Sequence, residues 1–237
     1  MKDRPLANAG DRRADRLPPT RYSAADSTDN HRRRHYGRLN AFNRGADKSE
    51  VRLMGTVAVH EFMTLDGVID APTWTFDYPL DPKMGEAIAA LMGACNAILL
   101  GRTTYEMFEP AWSARTAEDD PGAPFMNGTP KYVVSSTLTH AEWNNSTVLG
   151  PYSAQTIRDL KDRVDGGMYV SGSGTLVRAL LADRLVDELH LFVFPLALGS
   201  GQRLFPDGAG PTKLALAGCE AYTSGALHLT YTPATTS

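Results

Sequence analysis

Three short segments of the chain carry groups suited to binding phosphate, and each follows an apolar run that reads as a strand. The first is Gly101-Arg102-Thr103-Thr104-Tyr105-Glu106. Gly101 lets the chain turn tightly, and the N–H groups at the following helix start face outward toward an anion. Arg102 adds a permanent, planar cation, and Thr103 and Thr104 add hydroxyls. The second is Ser135-Ser136-Thr137, three hydroxyls at the carboxyl end of a strand, where open α/β sheets bind ligands. The third is Ser171-Gly172-Ser173-Gly174-Thr175-Leu176, with glycines between a strand and a helix N-terminus. No large side chain blocks the approach of a pyrophosphate there, and the helix end carries partial positive charge. Each segment alone is equally the composition of an ordinary capped or packed turn. Lying along one sheet edge, they would together bridge an extended dinucleotide. The arginine favours a 2′-phosphate, hence NADPH over NADH.

A fourth segment, Thr64-Leu65-Asp66-Gly67-Val68-Ile69, follows the first strand. Its Asp-Gly pair is a turn that brings backbone close to a flat ligand, or a plain turn and nothing more. Trp74, Phe76, Phe108, Trp112 and Phe194 are the aromatic candidates for a substrate wall, and each is also an ordinary core residue type. His60 and His190 fall inside strands and read as packed core.

Other chemistries find no motif. There is no GxGxxG fingerprint and no GxxxxGK[ST] loop. No Ser-His-Asp order or nucleophile elbow points to a hydrolase. Cys95 and Cys219 stand far apart without CxxC or Cys/His neighbours, which argues against zinc and against a disulfide framework. A reducing cytoplasm fits that usage. No run of 18 apolar residues and no signal-peptide core is present, so no membrane span is expected.

The elements that must hold these groups begin near Met54. Residues 1–50 carry a net charge of +5 and residues 51–237 a net of −8. The first stretch is rich in Arg, Asp, Asn, Ser and Pro, with scattered apolar residues. It cannot bury enough area to offset about 1–2 kcal/mol per residue of backbone ordering, and residues 1–53 are expected to be a disordered basic extension. Its His31-Arg32-Arg33-Arg34-His35 run reads as a solvated charge run or a contact for an anionic partner. Translation starting at Met54 is also compatible with the pattern. The acidic body argues against a nucleic-acid surface.

Within the body, strands are expected over 55–63, 97–100, 131–135, 147–149, 168–171, 188–194, 213–222 and 226–232. Helices are expected over 82–95, 103–109, 153–164 and 175–182, and 113–129 reads as an exposed loop. Asp81 and Ser153 are the expected N-caps, with Pro82 in the first turn. Strands alternating with helices and then gathering at the end predict an α/β fold with a mostly parallel sheet and an antiparallel hairpin.

These motifs, in this order, resemble the dihydrofolate reductase-like superfamily. They are Met63-Thr64-Leu65-Asp66-Gly67-Val68-Ile69, the Leu100–Glu106 and Val170–Leu176 segments, Ser135-Ser136-Thr137, Leu185-Val186-Asp187-Glu188-Leu189 and Pro195–Gly201. The resemblance is greatest to the reductase domain of the bifunctional riboflavin biosynthesis protein and its stand-alone relatives, and it spans about Met54 to Pro233. It implies a three-layer fold over 54–235 with helices on both faces of a mostly parallel mixed sheet. It implies Leu65, Asp66 and Ile69 beside the nicotinamide of NADPH, and Gly101, Arg102, Thr103 and Thr104 on its 2′-phosphate and pyrophosphate. Ser135 and Ser136 would line the adenosine, and Gly172, Ser173, Gly174, Thr175 and Leu176 would cover the pyrophosphate. It also implies a homodimer and a small heterocyclic substrate; composition and motifs point to no nucleic acid, membrane or metal partner. Dihydrofolate reductases place a carboxylate on the helix before the Gly-Arg segment. Here the matching place falls near Met84-Gly85, with Glu86 and Asp81 close by.

The expected chemistry is hydride transfer to a carbonyl or imine carbon, with Asp66, Glu86 or water giving the proton. The substrate is of the 5-amino-6-(5-phosphoribosylamino)uracil type or that of an unassigned relative. The alternatives are a dihydrofolate reductase, a non-catalytic NADP(H)-binding regulatory module, and a nucleic-acid adaptor acting through the basic extension.

Overall fold

β1 (Thr56–Thr64) is buried from Val57 to Glu61 and again at Thr64, as a strand covered on both faces must be. It lies inside an eight-stranded sheet. The computed structural model describes residues 54–79 and 81–234, and the expected extension over 1–53 lies outside the described residues. After β1 come α1 (Pro82–Gly93), β2 (Cys95–Gly101), α2 (Arg102–Trp112), α3 (Ala123–Gly128), β3 (Lys131–Val134) and β4 (Ser146–Gly150). Then follow α4 (Ala154–Arg163), β5 (Gly167–Ser171), α5 (Gly174–Ala182), β6 (Glu188–Phe194), β7 (Leu214–Ala221) and β8 (Leu227–Pro233). The strand order is β4-β3-β2-β5-β1-β6-β8-β7. All pairings are parallel except β6 with β8 and β8 with β7. This is the α/β architecture expected from the sequence, a mostly parallel sheet with helices on both faces and a C-terminal antiparallel hairpin.

Alternation along β1 assigns the helices to faces. Val57 and Val59 pack with Ile157 and Leu160 of α4 and Leu176, Val177 and Leu180 of α5. Ala58, between them, points the other way and packs with Leu91 of α1, Tyr105 of α2 and Met126 of α3. Capping follows the sequence. Asp81 Oδ1 accepts from Lys83 N at 3.0 Å ahead of Pro82, and Ser153 Oγ accepts from Thr156 N at 3.5 Å. Lys161 of α4 meets Asp187 at 2.5 Å, and the same carboxylate oxygen accepts from Val57 N at 2.7 Å. That bond ties α4 to the starts of β1 and β6.

Three segments depart from or add to the expectation. The stretch 113–129 is not all exposed loop, because α3 docks Ala123 and Met126 into the core. These two apolar residues, three apart, form a stripe too short to signal a helix by period. Residues Pro72–Asp77 form a 3-10 turn, entered through Ala71 in the left-handed region at φ 38°. The helix expected at 103–109 runs on to Trp112, past Pro110.

Candidate active site

Sheet topology alone marks where a ligand belongs. β2 leads into α2 on one face and the adjacent β5 leads into α5 on the other, so a crevice opens between their carboxyl ends. The Gly101 and Gly172–Leu176 segments sit on its two sides and touch. Gly101 N donates to Ser173 Oγ at 3.0 Å. A methyl group at Gly101 would lie 3.7 Å from Leu176 Cβ, and one at Gly172 would lie 3.6 Å from Thr104 Oγ1. Gly172 and Ser173 both have positive φ, 60° and 64°. For serine that conformation costs about 1–3 kcal/mol, and it brings the chain into α5 with its amides uncovered.

The fourth segment joins the same place. A methyl group at Gly174 would fall 2.6 Å from Ile69 Cδ1, so Ile69 packs directly on the glycine at the start of α5 and would have to turn its tip aside for a larger residue. Asp66 is a clasp. Its carboxylate accepts from Thr64 Oγ1 at 2.5 Å, Gly199 N at 2.7 Å and Leu198 N at 3.2 Å. These bonds, the Thr64 hydroxyl foremost, pull its pKa down to about 2. Asp66 is therefore held as an anion, which suits positioning and opposes giving up a proton. Arg203 Nε donates to Asp66 O at 3.0 Å, and Arg178 Nη1 donates to Arg203 O at 3.1 Å. Arg178 Nη2 also reaches Thr175 Oγ1 at 3.1 Å. Leu65 is left 66% exposed beside this clasp.

Arg102 opens α2 with its side chain about half exposed and in an ion pair with Glu106, 3.2 Å away. Exposed pairs of this kind contribute about 0–1 kcal/mol, so a phosphate can displace the carboxylate. Thr103 is exposed and Thr104 is buried against the Gly172 turn. Ser135 follows β3, which pairs with β2 at Val134 and Gly101. Its Oγ is spent on the N–H groups of Thr137 and Leu138, and Ser136 is exposed. Two helix starts, a guanidinium and a glycine-lined approach form a donor set that fits a dinucleotide phosphate.

The aromatic candidates divide. Trp74 and Phe194 meet with centroids 5.3 Å apart, in a cluster with Met84 of α1. Phe76 is 86% exposed. Phe108 and Trp112 pack instead around Tyr105, Met126 and Trp143, under α2 and α3. Glu86 lies exposed on α1, and the partners of the Asp66 carboxylate are Thr64, Leu198 and Gly199. Asp81 is buried, but both of its oxygens are engaged, by Lys83 N and by Thr223 N and Oγ1. Among the described residues no group of three or more His, Cys, Asp or Glu side chains is placed to hold a metal ion. No helix there is long and apolar enough to cross a membrane.

Sequence reasoning passed over Glu61, Arg178, Arg203 and Tyr222. Glu61 is buried beneath α5 with Oε1 unpartnered, and burial raises its pKa to about 8. A charged residue at an inward position of a central strand was the available signal. Arg178 stands one helical turn after Thr175, a spacing that says "same face" but not which face.

Comparisons with known proteins agree with this architecture. Two Bacillus subtilis (strain 168) proteins are similar in sequence. YyaP is 24% identical over 176 residues, covering 71% of this chain and 90% of its own length. YwjB is 26% identical over 163 residues, covering 68% and 88%. A protein from Shewanella sp. PV-4 assigned to riboflavin biosynthesis superposes with a TM-score of 0.63 at 21% identity, over 76% of this chain and 99% of that one. The Thermotoga maritima diaminohydroxyphosphoribosylaminopyrimidine deaminase/5-amino-6-(5-phosphoribosylamino)uracil reductase superposes with a TM-score of 0.55 at 18% identity. That match covers 76% of this chain and 57% of the other. The family model described as the RibD C-terminal domain matches residues 55–228, nearly all of the described fold, and the chain belongs to that family.

Proposed function

We propose that this chain is an NADPH-dependent reductase of a small heterocycle, with the cofactor lying across the crevice between β2 and β5. The observation that carries the reading is the convergence of three segments, distant in sequence, on that crevice. Gly101 and Ser173 are hydrogen-bonded across it, and Ile69 is seated on Gly174. When bound, NADPH supplies a hydride equivalent; the rest is the protein's work of holding and shielding. Arg102 and Thr103 take the 2′-phosphate, the Gly172–Leu176 turn covers the pyrophosphate, and Ser136 borders the adenosine. Leu65 and Ile69 flank the nicotinamide, held in place by the Asp66 clasp.

With Asp66 ionised and Glu86 exposed, the proton required at the reduced atom comes from water or from the substrate's surroundings. Asp66 is a positioning residue in this account. The riboflavin-pathway substrate of the T. maritima protein is one candidate, and the substrates of stand-alone relatives are the others. A folate reductase is disfavoured because Asp81 has no free oxygen for a pterin ring. A cytoplasmic, homodimeric protein is part of the proposal. The free sheet edge at β7, with Leu216 60% exposed, is a surface where a second copy could pair. A substrate screen that follows NADPH oxidation at 340 nm tests the reading. Saturable NADPH binding and turnover of at least one heterocycle are expected, and failure to bind either NADPH or NADH would remove it.

A further inference from the structure

Arg178 is the fifth residue of α5, yet its guanidinium lies back over the start of the helix. A methyl group at Gly174 would meet Arg178 Nη1 at 3.4 Å, and Nη2 donates to Thr175 Oγ1 at 3.1 Å. α5 begins with no side chain capping its first N–H groups. A cation at that end of a helix opposes the dipole, which favours anions there. Glu61 is the carboxyl group on which Arg178 acts electrostatically, but burial lifts its pKa to about 8. At neutral pH Glu61 therefore holds its proton and does not cancel the guanidinium. Two positive features meet at the start of α5, and an anion bound there relieves both.

The same guanidinium also holds a distant part of the chain. Val68 and Arg203 form an antiparallel bridge, in which Ile69 N donates to Gln202 O at 2.9 Å and Leu204 N to Gly67 O at 3.0 Å. Arg178 Nη1 supplies a hydrogen bond from α5 to that bridge, at 3.1 Å to Arg203 O. Arg203 in turn donates from Nε to Asp66 O at 3.0 Å, and its Nη2 stands 4.0 Å from Asp66 Oδ2. Asp66 holds the Leu198 and Gly199 amides. One planar group thus joins Thr175, in the turn after β5, to the loop after β6. A guanidinium suits this task because its donors lie in a fixed fork, which the point charge of a lysine does not reproduce.

We propose that Arg178 is a positioning residue for the dinucleotide: it fastens the Gly172–Leu176 turn to the loop that Asp66 clasps, and so fixes the spacing between the pyrophosphate and nicotinamide ends of the site. The inference rests on the reductase reading for the identity of the dinucleotide. It gives Arg178 the part of the cofactor that NADPH and NADH share, whereas Arg102 takes the 2′-phosphate that NADPH alone carries.

Arg178→Met keeps the stem of the side chain and removes its donors. Calorimetry on the whole protein should show NADPH and NADH weakened alike, by about tenfold. 2′-AMP, which carries the adenosine and 2′-phosphate but neither the pyrophosphate nor the nicotinamide, should change by less than about twofold. Arg178→Lys should recover part of the loss, because it restores the cation without the fork. In the free protein, amide exchange at Leu198 and Gly199 should quicken by about tenfold in Arg178→Met. Unchanged cofactor affinity, equal loss of all three ligands, or unchanged exchange at those two amides would overturn the proposal. A wild type that binds neither cofactor would sink the reductase reading instead, and the exchange rates would still decide whether Arg178 fastens the turn to the loop.

Discussion

At the scale of single residues, β1 carries two buried titratable neighbours that pull stability in opposite directions. His60 points toward α1 with its pKa down at about 3, through burial and then the nearby His190 and His228. Glu61 points toward α5 with its pKa up at about 8, again through burial, partly offset by Arg178. For His60 the unfolded chain takes up the proton first, so its contribution is full above about pH 6.5 and is lost as pH falls toward 3. For Glu61 the folded chain holds the proton more tightly, so its contribution is full below about pH 4.5 and is lost as pH rises toward 8. The slopes are each about 1.4 kcal/mol per pH unit and cancel between roughly pH 4.5 and 6.5. These two groups predict a plateau there, with stability falling on both sides. Glu61→Gln should remove most of the alkaline fall. Urea midpoints for the wild type and variant at pH 5.5 and pH 8 read this directly. An equal effect of the substitution at both values would mean that Glu61 does not titrate in the fold.

At the scale of elements, close approaches decide which glycines are structural. Gly167 starts β5 between β1 and β2, where β2 shifts register between Cys95 and Ala97. A methyl group there would lie 2.8 Å from Cys95 Sγ and 2.9 Å from Ala94 O. Backbone cannot retreat, so Gly167→Ala should cost about 1–3 kcal/mol. Gly85, inside α1, has open space around it, and Gly85→Ala should gain about 0.5–1 kcal/mol from helix propensity. Thermal melts of the two variants should move in opposite directions, and a fall for both would contradict the packing described here. Elements of this kind were legible where the pattern was long. The apolar runs at 97–100 and 188–194 and the period of α4 read directly from the residues. The strap at 72–77 and α3 did not, because a six-residue element held by one or two buried side chains leaves no periodic trace.

At the scale of the whole molecule, the topology makes the site. Gly101 and Ser173 are 72 residues apart, and only the placement of β5 beside β2 brings Ser173 Oγ to Gly101 N. Local sequence showed that each turn suited phosphate, whereas the motif order showed that they belonged together. The clasp from Asp66 to Leu198 and Gly199 was invisible at either level, since the Asp-Gly pair is an ordinary turn until the loop after β6 folds over it.

The proposed site holds a dinucleotide across the β2–β5 crevice with Arg102 on its 2′-phosphate. Calorimetric titration of wild type and Arg102→Ala with NADPH and NADH tests it most directly. Loss of a charge-assisted contact should weaken NADPH by about tenfold, while NADH changes by less than about twofold. Equal losses for the two cofactors, or none for either, would contradict it.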